Sequence, residues 1–224
     1  MRIVSRFGGN IGWQMSIKGK TETVLRIVLG VCFILSGIMK AVNVYSFAQE
    51  IRLYIEAYMD SCFVQWTVEI AVIICAIETI TGFLALKREY IAVVSVVLLV
   101  IMSFFVWLTG INLFSPSLMG SIESCGCFGE LVHLSPLVSF VKSVVLWGMS
   151  AGLFGLCLET DWGKNLNTVL MDGKTYATLV AGALPPVYSY LCFENMDHIW
   201  YLAGYVVLCV IVVSSLGFCY VIRK

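Results

Sequence analysis

Charged residues are scarce in this chain. Lys, Arg, Asp and Glu make up 12% of its 224 residues, whereas soluble domains carry about 25%. Fourteen basic residues balance fourteen acidic ones, so the net charge gives no sign of a nucleic-acid partner. With 60% hydrophobic residues and a mean hydropathy of +0.93, the composition excludes an ordinary soluble domain. It predicts an integral membrane protein whose main surroundings are the lipid bilayer.

Several kinds of site are also missing from the sequence. The two histidines, His133 and His198, are too few and too far apart to complete a metal site with Cys125 and Cys127, and no zinc-type spacing is present. There is no phosphate-binding glycine loop and no basic face interleaved with aromatic residues. Residues 1–22 lack the apolar core and cleavage site of a removable signal peptide. The sequence thus predicts no metal and no nucleic acid.

Long apolar runs are what the chain does contain. The first, residues 23–44, is long enough to cross a bilayer, which takes about 20 residues. Its basic flank predicts an uncleaved anchor with the N-terminus in the cytoplasm. Five further runs follow, at residues 64–86, 90–114, 136–158, 176–193 and 200–222. The predicted fold is an all-α membrane protein with about six spans, namely a four-helix transmembrane bundle and two C-terminal helices.

Two local features modify this pattern. Residues 47–60 alternate apolar and charged side chains at helical spacing, which predicts a short amphipathic helix on the outer membrane surface, or else a plain loop. Pro185-Pro186 removes two backbone donors from the fifth run and should kink or break its helix.

Basic residues indicate the topology. With six spans, the basic short flanks all fall on one side: the N-terminus, Lys87-Arg88, Lys164 with Lys174, and Arg223-Lys224. Arg52 is the exception, outnumbered by nearby acids. The positive-inside rule therefore predicts cytoplasmic termini and an outer connection between the third and fourth spans. A five-span alternative, with the Pro-Pro segment re-entrant, would leave Arg223-Lys224 outside.

That outer connection contains the motif Cys125-Gly126-Cys127-Phe128-Gly129. Two thiols separated by one residue can meet, because Gly126 has no Cβ to resist a tight backbone. A disulfide closed over so few residues would be strained and easily reduced, which suits thiol–disulfide exchange. A metal-ligand pair and two buried cysteines without a role are the alternatives.

Two other cysteines map to the same boundary. Cys62 and Cys192 both fall at the outer edge under the six-span prediction. The sequence does not decide whether they pair with each other or contact Cys125 and Cys127.

Four ionisable residues fall inside the predicted spans: Lys40, Glu69, Glu78 and Lys142. Each needs a partner or a polar cavity, because a charge in hydrocarbon costs about 3 kcal/mol on insertion scales. At 1.5 Å per residue, Glu69 and Lys142 come to a similar depth of about 10 Å, with Lys40 shallower and Glu78 deeper. Lys40 and Lys142 could supply positive potential beneath the thiols and favour thiolate. The alternatives are a structural Glu69–Lys142 ion pair, and a Lys40 side chain that extends to the headgroups.

Glycines in the same spans are interpreted as sites of close helix approach. They are Gly30 and Gly37 in the first span, Gly82 one turn after Glu78, and Gly148 and Gly152 in the fourth.

Taken together, these residues resemble a known family. The first span reads R-x-x-L-G-x-x-F-x-x-S-G-x-x-K from Arg26 to Lys40, and the later matches are Phe47, Ile51, Tyr54, Glu78, Gly82 and the Cys125–Gly129 motif. About residues 22–158 resemble the MauE/DoxX-like membrane proteins. The resemblance implies a four-helix domain at 23–158, between a cytoplasmic segment at 1–22 and an extension at 159–224.

The resemblance also implies a function. Such proteins are grouped with partners of thioredoxin-like proteins, which implies thiol–disulfide handling or maturation of exported proteins at the bacterial inner membrane. A bundle with an outer cysteine pair is also similar to vitamin K epoxide reductase, which uses a quinone. Quinone is therefore a conjectured cofactor here, although the cysteine spacing differs. Whether the chain is an enzyme, a thiol–disulfide oxidoreductase, stays open.

Two other functions fit the residues. In a non-catalytic assembly subunit, Cys125 and Cys127 would brace a loop for protein contact. A small-solute transporter would use Glu69, Glu78 and the broken fifth helix.

Overall fold

The computed structural model describes residues 4–58, 61–114, 135–158 and 173–221. These ranges are helical and contain no strand, which confirms the predicted all-α class. Their α-helices are α1 (Val4–Val42), α2 (Val44–Tyr58), α3 (Thr67–Ala85), α4 (Ile91–Phe114), α5 (Pro136–Cys157), α6 (Gly173–Cys192) and α7 (His198–Val221). Short 3-10 turns, Ser61–Trp66 and Arg88–Tyr90, precede α3 and α4. Cys125, Cys127 and His133 lie outside the described residues.

Four of these segments are long and apolar enough to cross a membrane, so the protein is an integral membrane protein. They are Lys18–Val42, Cys62–Ala85, Arg88–Phe114 and Pro136–Cys157. Helices α6 and α7 form where the fifth and sixth spans were predicted. Across the described ranges, only the shorter apolar stretch His198–Ser214 adds to the four. Six spans are therefore not confirmed.

Helices α1 and α3 pack together through glycines. A Cβ on Gly82 would lie 2.7 Å from the Ile34 amide nitrogen and 2.8 Å from the Gly30 carbonyl oxygen. A Cβ on Gly37 would lie 2.9 Å from the Thr79 nitrogen and 3.0 Å from the Cys75 oxygen. The two backbones are thus in contact, as small residues allow in membrane helices. Along these contacts the residue numbers rise in α1 while they fall in α3, so the two helices are antiparallel.

The prediction that Gly148 and Gly152 are sites of close helix approach in α5 is wrong. A Cβ on Gly148 would meet no atom within 4 Å, and one on Gly152 would meet only Leu25 Cδ1, at an ordinary 3.8 Å. Gly148 is exposed. Helix α5 instead packs against α4, where the Trp147 indole nitrogen donates to Ser103 Oγ at 3.0 Å.

Helix α2 confirms the predicted amphipathic helix but not the direction of its apolar face. Val44, Phe47 and Ile55 lie along one side of α2 and are buried. That side packs on α3 and α6 rather than into lipid. The opposite side is exposed and carries an ion pair between Arg52 Nε and Glu56 Oε1 at 2.7 Å.

Helix α6 runs through Pro185 and Pro186 without interruption, so the predicted break is not observed. Its N-terminal end is attached to the α3–α4 connection, where Lys87 Nζ donates to Thr178 Oγ1 at 2.9 Å. Near its middle, a Cβ on Gly182 would lie 3.1 Å from the Ile80 nitrogen. Both contacts hold α6 on the N-terminal side of the prolines, which remove two backbone donors.

Candidate functional site

The site begins with an interruption of the first helix. Asn43 ends α1 and caps α2: its Oδ1 accepts a hydrogen bond from the Ser46 amide at 3.1 Å, and its Nδ2 donates to Ser46 Oγ at 2.7 Å. A side-chain oxygen that accepts from the third helical amide is the usual N-terminal cap. The sequence therefore breaks the helix locally, one residue after Val42.

The interruption lies inside the protein. Ala41 and Val44, on either side of it, are fully buried. The Tyr201 hydroxyl donates to the Val42 carbonyl at 2.6 Å, and the Val44 amide donates to Ser189 Oγ at 3.4 Å. Backbone groups that are buried away from water must find partners within the protein. Here α6 and α7 supply them.

A buried ion pair occupies the last turn of α1. The Lys40 ammonium group contacts Glu78 Oε1 of α3, and Ser36 Oγ donates to Glu78 Oε2 at 3.0 Å. The two charged side chains are only 1% and 2% exposed. Lys40 Nζ also lies 5.2 Å from the Phe47 ring centroid and 4.7 Å from that of Phe105, within cation–π range. One charged centre thus connects α1, α2, α3 and α4.

The Glu69–Lys142 ion pair, which was one of the alternatives for these residues, is not observed. Glu69 Oε2 is buried and accepts no hydrogen bond, and no ion pair links Glu69 to Lys142, which is half-buried on α5. Lys40 instead pairs with Glu78, and it does not extend to the headgroups. The depth count could not identify this pair, because depth alone does not fix which faces of α1 and α3 meet. Side chains also lean toward the N-terminus of their own helix, so Lys40 and Glu78 reach toward each other in antiparallel helices.

The segment that carries Cys125 and Cys127 starts and ends at the same end of the bundle. Helices α1 and α4 both run antiparallel to α3, so the break after Val42 and the end of α4 at Phe114 point the same way. Phe105, which contacts Lys40, lies nine residues before Phe114, about 14 Å along the helix. Across from it, the Phe140 ring of α5 lies 5.6 Å from the Phe114 ring. The effect of Lys40 and Lys142 on the thiols stays a prediction.

Two buried polar groups at this end were missed from the sequence. Asn112 Nδ2 on α4 and Ser139 Oγ on α5 have no hydrogen-bond partner, although the residues are only 5% and 0% exposed. A Cβ on Gly110 would lie 3.5 Å from the Phe140 ring, a register that places Asn112 and Ser139 at similar heights. Unpaired polar groups are costly in a membrane interior. An asparagine in an otherwise apolar helix was the signal that could have identified this position.

Free thiols are present at Cys32, Cys62, Cys75, Cys157, Cys192 and Cys209. Cys75 and Cys157 are buried packing residues. Cys62 is exposed and Cys192 is half-buried, and they are not joined to each other.

Tyr45 on α2 contacts the end of α6. Its hydroxyl donates to the Tyr190 carbonyl at 3.0 Å. Loss of solvation, and then the negative charge of Glu194, raise the pKa of Tyr45 above its ordinary value of 10.0. The phenol therefore stays protonated at neutral pH and keeps this bond.

Comparison with known proteins finds relatives for the part of the chain that forms most of the first five helices. The family model for methylamine utilisation protein MauE matches residues 18–157. Protein TlpB of Flavobacterium psychrophilum is 25% identical over 162 residues, which cover 70% of this chain and 42% of that protein. The chain thus spans less than half the length of this relative. No solved structure matches. Because the family match covers well over half of the sequence and includes Lys40, Glu78 and the Cys125–Gly129 motif, the chain belongs to the MauE family.

Proposed function

We propose that this protein handles thiol–disulfide exchange, or the maturation of exported proteins, through Cys125 and Cys127. The observation that carries the proposal is the Cys-x-Cys motif inside the segment matched by the MauE family, between α4 and α5. The protein acts in the bacterial inner membrane, with cytoplasmic termini and the motif outside. Its partner is a periplasmic thioredoxin-like protein. Residues 1–22, 23–158 and 159–224 form the N-terminal segment, the four-helix domain and the extension.

The exchange needs no group beyond the two proteins. A thiolate of one partner attacks the disulfide of the other and forms a mixed disulfide, releasing one thiolate. The second thiol of the attacking pair then attacks this mixed disulfide and releases the other protein. The attacking pair is thereby oxidised, and the other pair is reduced by two electrons. A quinone that carries these electrons onward is a further part of the proposal. The Asn112 amide and the Ser139 hydroxyl are donors suited to a quinone carbonyl.

The buried centre supports this proposal by fixing the helices below the motif. Lys40 and Glu78 hold α1 against α3, and the Phe105 contact extends that attachment to α4. An exchange site needs its reacting sulfur atoms held in line. The transporter alternative has less support, because Glu78 is already paired and α6 is unbroken.

Trapping a mixed disulfide tests the proposal. We expect either Cys125→Ser or Cys127→Ser to accumulate a covalent adduct with an exported protein in cells, because the second thiol, which would attack the mixed disulfide and release the partner, has been replaced. The adduct is measured on non-reducing gels as a shifted band that reductant removes. Cys62→Ser is the matched control, since that thiol is exposed but lies outside the motif. If both variants keep full function, or if the pair stays oxidised in strong reductant, the assembly-subunit alternative is correct.

Topology gives an independent prediction. In a Cys62→Ser background, we expect a membrane-impermeant thiol reagent to label Cys125 and Cys127 in intact cells after reduction. The same reagent should not label a Lys87→Cys variant, because basic connections stay in the cytoplasm. Mass spectrometry of the labelled peptides measures both. Labelling of position 87 but not of the motif would show that the topology is the reverse of the predicted one.

A further inference from the structure

We infer that Tyr201, Tyr205 and Ser189, which lie outside the segment matched by the family, position Lys40 against Glu78 by holding the interrupted end of α1. The three residues belong to α6 and α7, beyond residue 157 where the match ends. They are 0%, 2% and 0% exposed. The inference concerns the geometry of the buried centre, and only its effect on exchange rests on the proposed function.

The hydrogen bonds fall on both sides of Lys40. The Tyr205 hydroxyl donates to the Ile38 carbonyl at 2.6 Å, and the Tyr201 hydroxyl donates to the Val42 carbonyl at 2.6 Å. Ile38 and Val42 are two residues before and two residues after Lys40. The last turn of α1 is therefore attached to α7 at two points, with the charged residue between them.

The bond from Tyr201 takes the place of a backbone hydrogen bond that is missing at the end of α1. In a continuous helix the Val42 carbonyl would accept from the Ser46 amide. That amide instead donates to Asn43 Oδ1, the cap of α2. The last carbonyls of a helix need hydrogen-bond donors from elsewhere. The Asn43 cap takes the Ser46 amide away from the Val42 carbonyl, and Tyr201 supplies a donor in its place.

Ser189 links this arrangement to the start of α2. Its Oγ accepts from the Val44 amide at 3.4 Å, and its hydroxyl donates to the Tyr201 hydroxyl oxygen at 3.0 Å, because the one Tyr201 proton goes to the Val42 carbonyl. A single tyrosine–serine contact thus serves the final carbonyl of α1 and the first amide of α2. Phe47, one turn into α2, lies against the Lys40 ammonium group. Both parts of the chain that surround Lys40 are fixed by α6 and α7.

The aromatic rings give the tyrosines a rigid base. Tyr188 and Tyr201 stack with centroids 5.7 Å apart and planes 13° apart, and Tyr201 and Tyr205 are 6.0 Å apart. The hydroxyls of Tyr201 and Tyr205 are one turn apart on α7, which matches the one-turn spacing of the Ile38 and Val42 carbonyls on α1. Phenylalanine would fill the same space but could not donate these bonds, so hydroxyl removal separates positioning from packing.

The first experiment measures backbone hydrogen exchange of the full-length protein in lipid nanodiscs. We expect Tyr201→Phe with Tyr205→Phe to speed exchange of the amides in residues 38–46 by about tenfold, since hydrogen bonds that stabilise the closed form are lost. Amides of α4 and α5 away from the break are an internal reference. Tyr188→Phe is the matched control, because its hydroxyl makes only a marginal contact, at 3.5 Å, with the Tyr201 carbonyl. Unchanged exchange in residues 38–46 would overturn the inference.

The second experiment asks whether the tyrosines act through Lys40. The double tyrosine variant, Lys40→Met and their combination are compared for the unfolding midpoint and for the rate of thiol exchange with dithiothreitol. If the tyrosines position Lys40, their loss should have little further effect once Lys40 is gone. Additive losses in the unfolding midpoint would show that they only stabilise α7 and would overturn the inference. If the wild-type motif does not exchange thiols at all, the proposed function fails, while the midpoints still decide the inference.

Discussion

Replacing Lys40 by methionine should lower the free energy of unfolding by about 3–5 kcal/mol, because it leaves Glu78 as an uncompensated charge in the protein interior. Methionine keeps a long, unbranched side chain between Phe47 and Phe105, so the loss reflects charge more than volume. Glu78→Gln should cost a similar amount, because the buried Lys40 ammonium group loses the carboxylate that it contacts. The measurement is equilibrium unfolding in mixed micelles, supported by the abundance of each variant in membranes.

An exposed ion pair provides the control for this prediction. Arg52→Met removes the Arg52–Glu56 pair of α2, whose side chains are 58% and 45% exposed. Such pairs contribute about 0–1 kcal/mol. The double variant Lys40→Met with Glu78→Leu should recover much of the stability lost in the single variants, since an apolar pair leaves no buried charge. If Lys40→Met is as stable as Arg52→Met, the ion pair does not hold the helices together.

Gly37→Ala should destabilise the protein by about 1–3 kcal/mol, the usual cost of overpacking. The new methyl group would meet the Thr79 nitrogen at 2.9 Å and the Cys75 oxygen at 3.0 Å, and backbone atoms cannot move aside cheaply. Separating α1 from α3 here would also stretch the contact between Lys40 and Glu78, one turn away. The same unfolding assay measures the loss.

Gly148→Ala is the matched control. It lies in a membrane helix, but a Cβ there would meet no atom within 4 Å. Alanine is favoured over glycine in a helix interior by about 1 kcal/mol, so this variant should be as stable as the wild type or more so. Equal stability of the Gly37 and Gly148 variants would contradict the close contact of α1 and α3.

Local patterns were enough to predict most helices. Apolar runs predicted α1 and α3 to α5, and the alternating pattern after residue 47 predicted α2. Close packing at Gly30, Gly37 and Gly82 also followed from residue size. Gly148 shows the limit of that argument, because a glycine permits close approach but does not require it.

The ion pair could not be predicted from depth alone. Which carboxylate meets Lys40 depends on the rotation of α1 and α3 about their axes and on where α1 ends inside the protein. The break at Asn43 is a local feature that the sequence displays in Asn43 and Ser46. Its burial is not local, because it requires Ser189 and Tyr201 from helices much later in the chain.

The bond between Tyr201 and Val42 joins residues 159 positions apart, and this separation has a consequence for biosynthesis. At about 5–20 residues per second, a ribosome needs roughly 8–32 s to reach Tyr201 after it has added Val42. During that time the Val42 carbonyl must remain hydrated or be covered by the insertion machinery. The earliest part of the bundle therefore becomes complete only after the latest helix has been inserted.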